Sequence, residues 1–142
     1  MIHSDLDNKC SFIYLAPTKV QGTSLLQIFK DAQEDCKGKE ISNKVLLVGE
    51  KLEDCQCDII CITADSQEDW NKVKKEWNDK IKDKCKAKRK IVCAGNETKA
   101  KKWCDDMKAD LWMDMSKHED TFEKIRKELT DTCKMTCDSH KF

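Results

Sequence analysis

Cysteine is the residue type whose number first suggests chemistry, with ten among 142 positions. In a short exported chain that density reads as a disulfide framework, whereas repeated Cys-x2–4-Cys pairs, or such a pair matched with His, read as a zinc site. The spacings are Cys55-x-Cys57 and Cys133-x3-Cys137, and His3, His118 and His140 are scattered, so the zinc pattern is incomplete. Cys61 and Cys93 lie inside apolar runs, while Cys36, Cys85, Cys104 and Cys133 recur at apolar helical spacings. Small buried hydrophobes occupy such positions. The opening Met1-Ile2-His3-Ser4-Asp5 carries an acid and no apolar stretch, unlike a secretory leader. The expectation is a cytosolic or nuclear chain whose thiols are mostly reduced and buried, with Cys55, Cys57 and Cys137 the accessible ones and no bound metal.

Charge is the second feature. Lys82, Lys84, Lys86, Lys88, Arg89 and Lys90 fall within nine residues and are opposed there only by Asp83. Over the whole chain 27 basic residues balance 27 acidic ones, which excludes a general polyanion binder. The run has no interleaved aromatics, as a single-strand nucleic-acid binder would need, and lysines at a helix C-terminus are also favoured by the helix dipole. The six are the candidate partner-binding residues. Trp70, Trp77, Trp103 and Trp112 fall on apolar faces and read as core.

Ala16-Pro17-Thr18-Lys19-Val20-Gln21-Gly22-Thr23 follows an apolar run and opens a helical pattern, where a phosphate-binding loop G-x-x-x-x-G-K-[ST] would stand. Only Thr23 fits. Ala16 takes the first Gly, Gln21 the second and Gly22 the Lys, so both the permissive backbone and the point charge for phosphate are missing. Lys19 reads as a solvated charge. His118 has no Ser or Cys at a nucleophile-base spacing and reads as an exposed residue at a helix start. No catalytic residue and no cofactor is called for.

These residues must be held by alternating elements. Cys10–Ala16, Lys44–Val48, Asp58–Ala64, Ile91–Ala94 and Leu111–Met115 read as strands. Helical periods run through Leu25, Phe29, Ala32 and Cys36, closed by Lys37-Gly38; through Trp70, Val73, Trp77, Ile81 and Cys85; through Ala100, Trp103, Cys104 and Met107; and through Phe122, Ile125, Leu129 and Cys133. Ser66 with Asp69, and Ser116 with Glu119, have the spacing of capping boxes. One Pro and four Gly leave no linker, and the longest uncharged stretch, Val20–Phe29, is half the ~20 residues that cross a bilayer. The order β-α-β-β-α-β-α-β-α predicts one α/β domain over residues 1–142, a three-layer, mainly parallel sheet flanked by helices, its second strand an edge of open direction.

Asp58–Ala64, the Trp70–Cys85 helix, Ile91–Asn96 and Leu111–Lys117 resemble the second half of a Ras/Rho-type small GTPase. The guanine-reading N-K-x-D box would fall on Asn96-Glu97-Thr98-Lys99, where Lys99 has no acceptor for the base. No D-x-x-G box lies between Gly49 and Asp58, and Cys36 to Asp58 is short for both switch segments. Over roughly Ser11–Cys133 the chain resembles the centromere protein M family, inner-kinetochore subunits similar to small GTPases but without a nucleotide site. The likeness rests on Phe12–Ala16, Glu34-Asp35-Cys36, Asp58-Ile59-Ile60, the Ser66-to-Gly95 spacing and Leu111–Met115 before a last amphipathic helix. It implies a degenerate, P-loop/small-GTPase-like domain (a pseudo-GTPase) that assembles with centromere proteins H, I and K at the centromere and kinetochore in the nucleus. It implies no enzyme activity, no nucleotide, no membrane and no direct sequence-specific nucleic-acid binding. The alternatives are a divergent small GTPase with unconventional nucleotide contacts, or a cysteine-based redox or metal module.

Overall fold

The apolar runs become strands, and the 3.6-residue periods become helices, in a computed structural model that describes residues 9–53 and 56–137. In chain order they are β1 (Lys9–Ala16), α1 (Lys19–Gln33), β2 (Cys36–Lys37), β3 (Glu40–Leu47), β4 (Ile59–Thr63), α2 (Gln67–Glu76) with a π-helical turn (Trp77–Ile81), β5 (Arg89–Ala94), α3 (Glu97–Met107), β6 (Leu111–Asp114), α4 (His118–Asp131) and β7 (Thr136–Cys137). Five strands form one sheet in the order β3-β1-β4-β5-β6. Every pairing in it is parallel, with Tyr14 opposite both Val45 and Cys61, and Cys61 opposite Ile91. The edge strand β3 thus runs parallel to β1. Leaving β2 aside, this is the doubly wound order 2-1-3-4-5.

Strand alternation divides the core in two. Phe12, Tyr14, Cys61, Cys93 and Met113 face Leu25, Phe29, Phe122, Ile125 and Leu129 of α1 and α4. Ile13, Leu15, Ile60, Ile62 and Val92 face Trp70, Val73, Trp103 and Met107 of α2 and α3. All five residues of β4 are buried, as expected of a central strand covered on both sides. Trp70 and Trp103 stack with centroids 4.9 Å apart, joining α2 to α3. Three of the four tryptophans are core, and Trp112 departs: it is half-buried, with Lys124 Nζ 4.0 Å above its ring centroid and Lys101 Nζ 5.2 Å away.

Between β3 and β4 the chain crosses β1 without a helix among the described residues, and Leu52 and Cys57 fill the α2–α3 face there. On the opposite face Gly22 lets α1 approach β3 closely. A Cβ at that position would lie 2.6 Å from Val45 Cγ1. We expect Gly22→Ala to cost about 1 kcal/mol: the ~1 kcal/mol gain in helix propensity is outweighed by overpacking against a side chain stiff at χ1. Urea unfolding of both variants in a Val45→Ala background should reverse the sign.

The cysteines correct the expectation of mostly reduced thiols in part, at four positions. Cys10 and Cys133, 123 residues apart, are joined by a disulfide, and Cys36 and Cys137 by a second across the small antiparallel β2–β7 pair. Cys137 is therefore cross-linked, and Cys57 is buried at 4% exposure, so neither is an accessible thiol; Cys55 lies outside the described residues. Local period had placed Cys36 and Cys133 on helices. In fact α1 ends at Gln33 and α4 at Asp131, so both cysteines stand just past a helix end, free to meet partners remote in sequence. Gly38, at φ +128°, turns the chain from β2 into β3 and does not cap α1. Cys61, Cys93 and Cys104 are buried outside these cross-links, and burial pushes the Cys93 thiol up to about 12.

Candidate functional site

In a doubly wound sheet, ligands bind beyond the strand carboxyl ends where the chain reverses direction, here between β1 and β4. The polar side chains at that pole are engaged in holding helices. Thr18 Oγ1 accepts from Gln21 N (3.3 Å) and caps α1, Ser66 Oγ accepts from Asp69 N (3.1 Å) and caps α2, and Asn96 Oδ1 accepts from Lys99 N (2.8 Å) and caps α3. Lys99, which stands at the guanine-reading position, donates from Nζ to the Asp65 carbonyl at 3.0 Å. Gly22, at the phosphate-loop lysine position, is walled by Val45 and Ala16. Gln21 Oε1 is a buried acceptor without a partner among the described residues.

The capping expected at α4 is replaced. Ser116 does not cap the helix but donates through its backbone N–H (2.9 Å) and hydroxyl (2.6 Å) to Asp114 Oδ1, holding that carboxyl below the usual range. Thr121 Oγ1 donates to the Asp114 carbonyl at 2.9 Å. Lys101 and Lys117 both pair with Glu97, and Lys101 is the stronger cause of its lowered pKa. Among the described residues no group of three His, Cys, Asp or Glu could hold a metal ion, and no helix is long and apolar enough to cross a membrane.

The basic run lies at the other pole, and the structure splits it. Arg89 makes a bidentate pair with buried Glu128 on α4 (Nε–Oε1 2.8 Å, Nη2–Oε2 3.0 Å), so it is a structural residue and not an exposed docking charge. Lys88 pairs with Asp58 at 3.1 Å, and Lys84 Nζ donates to the Leu52 carbonyl at 3.2 Å. Lys82, Lys86 and Lys90 converge.

They converge near Trp77, the first residue of the π-helical turn, which lines both of two depressions of about 350 and 370 Å3. Both are lined by Trp77, Lys82, Lys90 and Lys108. Lys74, Lys86, Asp106 and Asp110 complete the charged lining, leaving three positive charges in excess. Asp106 is occupied: it accepts from Lys74 Nζ (2.7 Å) and from Trp70 Nε1 (2.9 Å), which keep its pKa low. Lys90 Nζ sits 5.0 Å from the Trp77 centroid, and burial, reinforced by Lys82, pushes its pKa down against the pull of Asp110.

Lys108 was missed in sequence because it lies 18 residues beyond the run's last member, Lys90, and reaches the groove only through the fold. It ends α3 in the left-handed conformation, φ 53° and ψ 45°. Glycine takes that position at less cost, and here a long cation is kept there instead.

No family model and no curated protein matches the chain. Among solved structures, a Burkholderia pseudomallei protein described as pilus assembly-related is similar over 83% of this chain and 90% of its own, with 6% sequence identity and a TM-score of 0.43. A likeness at that level carries no argument about function.

Proposed function

We propose that the chain is a non-catalytic binding module that takes an acidic protein segment in the groove around Trp77. The observation that carries this reading is the convergence of Lys82, Lys86, Lys90 and Lys108, none of which makes an ion pair among the described residues, near Trp77. A carboxylate placed there would offset the burial that disfavours the charged form of Lys90. Charges of this kind govern association rate and partner choice more than raw affinity.

The test is fluorescence anisotropy with a labelled Glu-rich peptide. Binding should weaken as salt rises through the physiological range, where the Debye length falls below about 10 Å. Lys82→Ala, Lys86→Ala and Lys108→Gly combined should cost roughly tenfold in affinity, at about 0.5 kcal/mol per exposed pair. Lys108→Gly alone should weaken binding while raising stability by up to ~1 kcal/mol, since it relieves the left-handed backbone. Equal binding by the triple variant would remove the groove from consideration.

An assembly role with centromere proteins H, I and K could use the same surface, and that narrower reading rests on the resemblance to centromere protein M. The Cys10–Cys133 and Cys36–Cys137 disulfides instead support a domain that matures in an oxidising compartment, and we favour that setting over the nucleus. Capture of those three proteins by the chain from nuclear extract would decide for the centromere.

A further inference from the structure

Two sulfurs meet on the α2–α3 face. Cys57 Sγ lies 2.9 Å from Cys85 Sγ, and both residues are buried, at 4% and 3% exposure. The backbone on each side of the pair is fixed. Asp58 N donates to the Ser11 carbonyl at 2.9 Å, and Lys88 N and Arg89 N both donate to the Asp58 carbonyl at 3.0 Å. Cys85 N donates to the Ile81 carbonyl at 2.8 Å, closing the end of the π-helical turn. The segment entering β4 and the segment entering β5 are therefore held together by hydrogen bonds, and the two sulfurs meet between them.

The crossover from β3 to β4 has no helix among the described residues, so it lacks the apolar stripe that fastens every other crossover to the sheet. Cys57 is where that crossover rejoins the core. Both disulfides already described lie on the opposite, α1–α4 side of the sheet, and at the same pole: Cys10 opens β1, Cys36 follows α1, and Cys133 and Cys137 follow α4. Cys57 and Cys85, just before β4 and β5, stand at that pole on the α2–α3 side, which neither of those disulfides reaches.

We propose that Cys57 and Cys85 form a third disulfide, made by thiol–disulfide exchange with a disulfide-bearing oxidant such as oxidised glutathione. One thiolate attacks the oxidant's sulfur and expels one thiolate from it. The second cysteine thiolate then attacks the mixed disulfide, forming the Cys57–Cys85 bond and releasing the other half of the oxidant. The two cysteines give up two electrons and two protons, and the oxidant leaves as two thiols. Because both sulfurs are buried in the folded domain, exchange takes place before the crossover closes over them.

The full-length chain, refolded with a reduced and oxidised glutathione mixture, is alkylated without reduction and cleaved after Lys and before Asp. Those cuts leave Cys85 in Cys85-Lys86 and Cys57 in Asp54-Cys55-Gln56-Cys57. The expected result is one cross-linked species joining these peptides, with fragmentation at Gln56 assigning the bond to Cys57. The link should persist in Cys55→Ser and vanish in Cys57→Ser; if Cys57→Ser does not fold, the fragmentation of the parent chain still decides. Recovery of Cys85 as an alkylated thiol, whatever the state of the other cysteines, overturns the proposal. So does a link from Cys85 to Cys55 or to any other cysteine.

Discussion

Replacing Cys10 and Cys133 together by Ala should lower the unfolding free energy by about 4–5 kcal/mol, the largest effect expected of any pair in the chain. The cross-link closes a loop of 123 residues, and in the chain-entropy account a loop of that size removes most freedom from the unfolded state. Both side chains are 1% exposed, so their truncation also leaves space in the α1–α4 core. Folded domains of this size hold only about 5–15 kcal/mol in all, so the variant should approach the margin of stability. Urea unfolding with and without dithiothreitol provides the measurement. Reductant should bring the parent chain down to or below the variant; a parent indifferent to reductant would mean that the cross-link does not stabilise the domain.

Arg89→Met should cost about 3 kcal/mol, although Arg89 belongs to a run that reads as surface charge. The loss arises at its partner: Glu128 is 5% exposed and would keep its carboxylate buried without the bidentate guanidinium. Thr132 Oγ1, 3.3 Å from Glu128 Oε1, cannot replace two charged hydrogen bonds. Adding Glu128→Gln should recover much of the loss, and a double-mutant cycle read by urea unfolding should give a coupling of about 2 kcal/mol. Lys86→Glu, by contrast, should stay within ~0.5 kcal/mol of the parent, since Lys86 is exposed. Equal and small losses at both positions would return Arg89 to the surface.

The contrast between these two positions marks what could be read from the chain. The sheet was legible because each strand is a short apolar run ended by turn residues, and the helices because Trp70–Val73 and Phe122–Ile125–Leu129 repeat at a helical period. Ser66 was identifiable as a cap because a cap is a local bond, and it makes that bond. Ser116 has the same spacing but stands one residue before the N-cap, Lys117, and its hydroxyl donates to Asp114 instead of accepting from the helix N–H groups. The groove was half legible: Lys82, Lys86 and Lys90 share one stretch, whereas Lys108 joins them only after α3 returns the chain to the same pole. The disulfides were illegible for the same reason on a larger scale. Cys10 and Cys133 each look like a core residue of their own element, and only the docking of α4 beside the start of β1 makes them neighbours.

The position of that cross-link also determines how the domain would respond to a pull. A tensile load applied between a point before residue 10 and a point after residue 133 passes from one to the other through two sulfur atoms. The parallel sheet, whose strands would otherwise be sheared or peeled apart one by one, lies outside the line of force. Held on either side of that cross-link, the oxidised domain would keep its groove intact, while the reduced one would unravel through all five strands.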